Sequence, residues 1–277
     1  MPEGPEIKRA ADKIAKAIVR QPITSLFFAF EQLKPYEQIF QRREVLAVQP
    51  RGKALLTRFD NQLSIYSHNQ LYGLWLIRKL HDYPQTNRQL RLAIHTEKKS
   101  VLLYSASDIE VLDDVAIAFH PFLSKLGLDL LDEATSLEQV MARFQDRAFQ
   151  RRRLVGLLLD QHFLCGLGNY LRSEVLFVAK VHPSYRPIDC SSTQIEALAK
   201  AAIALPRQSY LSNGITNNLQ LAQQLKAEGK RRRDYRHYVF GRQGQPCYLC
   251  GTTILREELG GRRCYYCPIC QMEGRSQ

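Results

Sequence analysis

Leu90-Arg91-Leu92-Ala93-Ile94-His95-Thr96 places apolar side chains at every second position, with Arg91, Ala93 and His95 between them. Successive side chains of a strand point to opposite faces, so this spacing predicts one half-buried β-strand. Residues 23–30, 45–48, 54–59, 63–67 and 73–78 before it, and 101–104 after it, are equally short. All are rich in aliphatic and aromatic residues and are separated by turn residues. Short strands at that spacing predict an antiparallel sandwich or barrel. His120-Pro121 ends the pattern and opens a connector.

From Ser136 the periodicity becomes helical and stays so to about Gln208. Leu154, Leu157, Leu158 and Gln161 mark a helix that ends at the turn Gly166-Leu167-Gly168-Asn169. A second helix is predicted over 170–179, and Ser192 or Thr193 caps a third that runs towards Leu205. Residues 212–236 are polar and finish in Lys230-Arg231-Arg232-Arg233-Asp234-Tyr235-Arg236. This stretch reads as a mobile basic linker, the common fate of charge runs.

The chain begins Met1-Pro2-Glu3-Gly4-Pro5-Glu6-Ile7-Lys8. A small residue after Met favours removal of the initiator, which leaves Pro2 with a free secondary amine. Such an amine titrates near the α-amino reference of about 7.7–8.0, so much of it is an unprotonated nucleophile near neutral pH. Ile7, Ala10, Ile14, Ala17 and Ile18 recur at helical spacing, and Pro5 suits a first helical turn. The amine therefore lies just ahead of a helix N-terminus, whose partial positive charge lowers an amine pKa. Glu3 and Glu6 pull the other way, and each can move protons. Taken alone, the stretch also reads simply as a helix start.

The 277 residues suffice for one large or two medium domains with proper cores. Lysine and arginine number 39 against 27 acidic residues, a formal +12, which favours a polyanionic partner such as nucleic acid. No apolar run approaches the ~18 residues that cross a bilayer, and no signal peptide is visible at the acidic N-terminus. The expectation is a cytoplasmic protein without a membrane partner, in a reducing compartment where cysteines are metal ligands or free thiols. Five of the seven cysteines fall between Cys247 and Cys270, so they form a local site.

Cys247-x2-Cys250-x16-Cys267-x2-Cys270 matches two knuckles that hold one structural Zn2+ by four thiolates. Cys264 also makes a Cys-x2-Cys pair with Cys267 and competes for a place; Cys-Pro-Ile-Cys is the more usual knuckle. Between the knuckles, Gly260-Gly261-Arg262-Arg263 reads as a hairpin tip that offers guanidinium groups to phosphate, or as a solvated turn. Backbone N–H groups after Gly168, with the Asn169 amide, suit a phosphate, and equally a capped turn. His68-Asn69-Gln70-Leu71-Tyr72-Gly73 joins two strands, and its Gln-Leu-Tyr tip would refill a base stack after nucleotide extrusion. Buried strand-end packing is the plainer reading of Leu71 and Tyr72. Lys53, in Arg51-Gly52-Lys53, is either a surface lysine or a phosphate-binding, proton-transferring one.

These motifs occur in an order that resembles the formamidopyrimidine-DNA glycosylase / endonuclease VIII family, within it the bacterial endonuclease VIII branch. The resemblance runs from Pro2 to Cys270. It implies an α+β fold: an N-terminal antiparallel β-sandwich flanked by helices over 1–118, and a helix–two-turn–helix DNA-binding domain over 119–211. The basic linker at 212–236 and a zinc finger over 237–271 complete it. The implied activity is that of a base-excision-repair DNA glycosylase with AP lyase activity, acting as a monomer on oxidised pyrimidines in double-stranded DNA. By matching motif, Pro2 attacks C1′ and forms a Schiff base, and β- then δ-elimination follow. Glu3 is the acid/base, Glu6 a supporting carboxylate, Lys53 a phosphate-binding proton donor, and Arg262 assists δ-elimination. Asn169 holds phosphate, and Gln70, Leu71 and Tyr72 fill the void.

Three positions depart from the pattern. Lys125 stands where close relatives carry a DNA-contacting arginine, which keeps the charge and loses the bidentate fork. Cys264 is an additional thiol in the finger, and residues 212–236 are long and basic. Rival readings are a non-catalytic DNA-binding zinc-finger protein, an oxidised-purine glycosylase of the same family, and a zinc-ribbon RNA-binding factor. The pairing of Pro2 with Glu3, which binding alone does not need, argues against the first and last.

Overall fold

The computed structural model describes residues 2–272. The chain divides into two compact units, Met1–Lys125 and Leu126–Gln277. The first opens with α1 (Gly4–Ile18), whose Ile7, Ala11, Ile14 and Ile18 are buried along one stripe. Burying each isoleucine contributes roughly 1.5–3 kcal/mol, so this face is what holds the helix in place. Ala10 and Ala17, expected in the stripe, lie half-buried at its margins.

There follow β1 (Ser25–Phe28), α2 (Pro35–Ile39), β2 (Val45–Arg51), β3 (Ala54–Phe59), β4 (Ser64–His68), β5 (Leu74–Lys79), β6 (Leu90–His95), β7 (Lys99–Tyr104), β8 (Asp108–Leu112) and α3 (Asp114–Phe119). The strands form two four-stranded antiparallel sheets, ordered β1-β6-β7-β5 and β2-β3-β4-β8. Helix α1 packs on strands of both sheets. Its buried stripe shares one core with Phe28, Leu55, Phe59, Ile65, Ile94 and Val101. The expected sandwich is present, with α1 anchored in its core.

Two strands differ from expectation. β6 is buried on both faces over its second half, because Ala93 packs on Leu102 and Tyr104. His95 is tolerated there because Ser100 Oγ lies 2.8 Å from its Nδ1 and the Tyr83 hydroxyl 3.0 Å from its Nε2. β8 was not anticipated, since Asp108 and Glu110 are poor strand formers, yet it pairs along all of β4. Ala116, Ile117, Phe122 and Leu123 then cover Ala54, Leu56, Tyr66 and Leu112. That cover carries the first unit to Lys125, beyond the boundary expected at residue 118.

The second unit comprises β9 (Leu128–Asp129), α4 (Leu137–Gln145), α5 (Leu154–Leu157), β10 (Leu164–Cys165), α6 (Asn169–Val178), α7 (Ser192–Leu211), α8 (Leu219–Ala227), α9 (Arg232–Tyr235), β11 (Leu255–Leu259) and β12 (Arg262–Tyr266). Helices α4 to α7 surround a core that includes Phe144, Leu157, Leu171, Val175 and Leu198. α5 is shorter than the helix expected to reach Gln161. α7 is capped by Ser191, whose Oγ accepts the Gln194 N–H at 3.2 Å, and it continues through Pro206 to Leu211.

Residues 212–236, expected as a mobile linker, are folded. Asn218 caps α8 by accepting the Leu221 N–H at 3.0 Å. Asn217, fully buried, donates to the Tyr235 carbonyl at 3.2 Å, and Arg236 Nε donates to the Gly214 carbonyl at 2.7 Å. Side-chain bonds to backbone organise this segment, and such bonds leave no hydrophobic period to read. The finger is tied to α6 by Glu174, which accepts the N–H groups of Tyr238, Val239 and Phe240 at 2.7, 2.9 and 3.0 Å. Among the described residues, no helix is long and apolar enough to cross a membrane.

Candidate active site and metal centre

Pro2 is half-buried immediately ahead of α1, and Glu3, only 3% exposed, is the helix N-cap. The Glu3 N–H donates to Glu6 Oε2 at 3.1 Å, and the Glu3 carbonyl accepts the Ile7 N–H at 3.1 Å. Glu6 Oε1 in turn accepts from Arg9 Nη2 at 2.8 Å. The strand of chain before the helix is thus fastened to its first turn, with the positive end of the helix dipole facing it. Pro5 occupies that first turn. Met1 lies outside the described residues.

Lys53 is buried in the turn between β2 and β3, made by Gly52 at φ +58°. His68, at the end of β4, stands opposite Ala54. Burial holds its pKa below the usual histidine value, and the Lys53 ammonium adds to that depression while Asp108 opposes it. His68 Nδ1 accepts the Gln70 N–H at 3.2 Å, so the lysine turn and the Gln70-Leu71-Tyr72 loop meet at this ring. The loop is closed by Gly73 N–H to the Asn69 carbonyl at 2.7 Å. A Cβ on Gly73 would lie 2.6 Å from the Asn69 Cα and carbonyl oxygen, so glycine is required there. Ser107 donates to Gln70 Oε1 at 2.7 Å, and Arg88 Nη1 to the Tyr72 carbonyl at 2.6 Å. Leu71 is 56% and Tyr72 69% exposed, so they are not strand-end packing residues.

In the second unit, Gln161 clamps the glycine turn: its Oε1 accepts the Gly166 N–H and its Nε2 donates to the Leu167 carbonyl, both at 3.0 Å. Asn169 is the first residue of α6. Its Oδ1 accepts from Arg172 Nη2 at 2.7 Å, and the same nitrogen donates to the Arg263 carbonyl at 2.9 Å. Arg262 is exposed at the start of β12, after Gly260 at φ +61° and Gly261 at φ +71°. Two left-handed residues make the tight turn that β11 and β12 share. Lys125 is exposed at the end of a 3-10 turn, Leu123–Lys125, in the first unit. His68 and Arg172 were missed in the sequence. The only signals were a histidine closing a strand beside the loop and an arginine one helical turn after Asn169.

Cys247, Cys250, Cys267 and Cys270 bring their sulfur atoms within 4.8 Å of one another. Separations of 3.4, 3.5 and 3.9 Å join Cys250 to Cys267, Cys250 to Cys270 and Cys247 to Cys270. Thiolates about 2.3 Å from a tetrahedral ion lie ~3.8 Å apart, so the set fits one four-coordinate metal. Cys264 points elsewhere: it is fully buried in the helical core, and burial pushes its thiol pKa up. It is not a member of the ligand set.

The Formamidopyrimidine-DNA glycosylase N-terminal domain family matches residues 1–107, and the Formamidopyrimidine-DNA glycosylase H2TH domain family matches 126–220. Endonuclease 8 of Escherichia coli (strain K12 / DH10B) is 45% identical over 271 residues, 98% of this chain and 100% of that protein. The chain belongs to the formamidopyrimidine-DNA glycosylase family. This DNA-repair glycosylase is also 45% identical to Endonuclease 8 of Klebsiella pneumoniae (strain 342), over the same shares of both chains. In fold it matches Lactococcus lactis Fpg solved in complex with abasic-site DNA, at a TM-score of 0.81 and 19% identity. That match covers 98% of the glycosylase and 100% of the Lactococcus chain. MutM solved with carbocyclic 8-oxo-G containing DNA gives 0.81 at 20% identity, over the same shares.

Proposed function

We propose that the glycosylase removes oxidised pyrimidines from double-stranded DNA and then cleaves the strand, with the Pro2 nitrogen as nucleophile. The observation that carries this reading is a proline placed directly before a buried carboxylate, Glu3, at a helix N-terminus. Once Met1 is removed, the secondary amine attacks C1′ of an extruded nucleotide and the C1′–base bond breaks, the base leaving with a proton. Glu3 supplies and retrieves protons as the sugar ring opens, which gives an iminium ion. Loss of the C2′ proton then breaks the C3′–O bond, and loss of the C4′ proton breaks the C5′–O bond. Lys53 protonates at the first elimination and Arg262 assists the second.

Lys53, Lys125 and Arg262 neutralise backbone phosphates, in keeping with the formal +12, and Asn169 donates a hydrogen bond to one of them. Gln70, Leu71 and Tyr72 occupy the vacated stack. The four cysteines hold one structural zinc ion, whose filled coordination sphere stabilises the finger and leaves no position for substrate. The enzyme works as a monomer.

Borohydride added to the enzyme with abasic-site duplex should trap a covalent adduct, and retention of Met1 or acetylation of Pro2 should abolish it. Undiminished strand cleavage by a Met1-bearing polypeptide would overturn the mechanism. Duplexes carrying oxidised pyrimidines or oxidised purines, compared at equal concentration, decide the base preference.

A further inference from the structure

Arg172 lies on α6, one turn after Asn169, and is fully buried. Its Nη1 donates to the Val155 carbonyl of α5 at 3.0 Å. Its Nη2 donates both to Asn169 Oδ1 at 2.7 Å and to the Arg263 carbonyl at 2.9 Å. One planar group therefore joins three segments: α5, the glycine turn that opens α6, and the β12 strand on which Arg262 sits.

We infer that Arg172 is a positioning residue that sets the two phosphate-binding elements of the second unit against each other. This rests on the proposed roles of Asn169 and Arg262. The amide of Asn169 has one oxygen and one NH2 group. With the oxygen engaged by a buried guanidinium, the rotamer is fixed and the NH2 group is turned away from Arg172, as the donor a phosphate needs. The bond to Arg263 acts on the other element. Arg262 has a long, flexible side chain, and its aim depends on where the backbone of the hairpin is held. Ser173, the next residue, adds to that hold, since its Oγ accepts the Tyr265 N–H at 3.3 Å. Charged, planar and rigid, the guanidinium can make all three bonds at once; a lysine ammonium on a flexible stem cannot keep that fork. Arg172 reaches no substrate itself and acts through Asn169 and the Arg262 hairpin.

The test is a double-mutant cycle on the full-length zinc-loaded enzyme. Binding is measured to a duplex containing tetrahydrofuran, a stable abasic-site analogue, for wild type, Arg172→Met, Asn169→Ala and the pair. Zinc content and thermal unfolding are recorded for each. Arg172→Met is expected to weaken binding about tenfold while zinc content stays at one per chain. The double variant should lose no more than about twofold beyond the weaker of the single variants. Arg172→Lys, which keeps the charge but loses the fork, should recover part of the affinity. Should Arg172→Met lose its zinc, the cycle is run with Arg172→Lys, which should weaken binding severalfold and couple to Asn169→Ala in the same way. Wild-type affinity in Arg172→Met, or losses that multiply in the double variant, would overturn the inference. If wild type itself does not prefer the tetrahydrofuran duplex over undamaged DNA, the functional reading falls instead.

Discussion

The Glu6 carboxylate accepts the backbone N–H of Glu3 at 3.1 Å, so a side chain inside α1 fixes the orientation of the residue beside Pro2, the proposed nucleophile. Replacing Glu6 by Ala removes an N-terminal cap and should cost about 1 kcal/mol of stability in denaturant unfolding. Adduct trapping should slow severalfold at the same time, because Pro2 and Glu3 lose their tether. Glu6→Gln keeps an acceptor and should lie near wild type on both measures.

Leu71 and Tyr72 stand out from the sandwich, so truncating either to alanine should leave stability within about 0.5 kcal/mol of wild type. Base excision from a duplex should nevertheless fall about tenfold, in line with the ~1–3 kcal/mol that stacking on a base contributes. A drop in unfolding midpoint without a change in excision rate would contradict the contact role.

A chelator should strip the proposed zinc, unfold the finger and abolish stable DNA binding, as read by gel shift and circular dichroism. Cys250→Ser should have the same effect. Cys264→Ala should keep one zinc per chain by atomic emission, with a stability cost of ~1 kcal/mol from the small cavity.

His237 is buried, with Thr216 Oγ1 2.7 Å from its Nδ1. Thr216 donates its own proton to Glu174 at 2.6 Å, so it accepts from the histidine, which places the ring proton on Nδ1. Burial, followed by Arg236 and Arg232, holds the His237 pKa well below the usual value, and burial lowers those of His68 and His95 as well. A depressed folded-state value means that the unfolded chain binds more protons. Stability is then complete above about pH 6.5 and is lost as pH falls below it. Urea midpoints should decline from pH 7 to pH 5, and His237→Gln should flatten that decline.

Much of this was legible in residue order. Alternation at Leu90 to Ile94 led to the sandwich, and the spacing from Ile7 to Ile18 led to α1. The Cys-x2-Cys pairs led to the sulfur cluster. Features that depend on polar satisfaction were not legible. β8 was hidden by Asp108 and Glu110, and the fold of 212–236 by the same basic residues that, like Arg236, hold its turns. Arg172 looks like any helix-surface arginine until the carbonyls of Val155 and Arg263 are seen around it. Cys264 and Cys267 both complete a Cys-x2-Cys pair, and only the fold separates them: Cys264, inside β12, enters the helical core, while Cys267, just past the strand, joins the sulfur cluster.

The loop is braced by the Gly73 N–H to the Asn69 carbonyl, by Arg88 to the Tyr72 carbonyl and by Ser107 to the Gln70 side chain, and this has a thermodynamic consequence. A floppy tip would have to surrender its main-chain freedom on meeting a duplex, at about 1–2 kcal/mol per residue. Here that ordering is complete before any encounter, and only the rotamers of Leu71 and Tyr72 are left to settle. Were the tip to enter a duplex as proposed, the expense of insertion would fall on the DNA rather than on the protein.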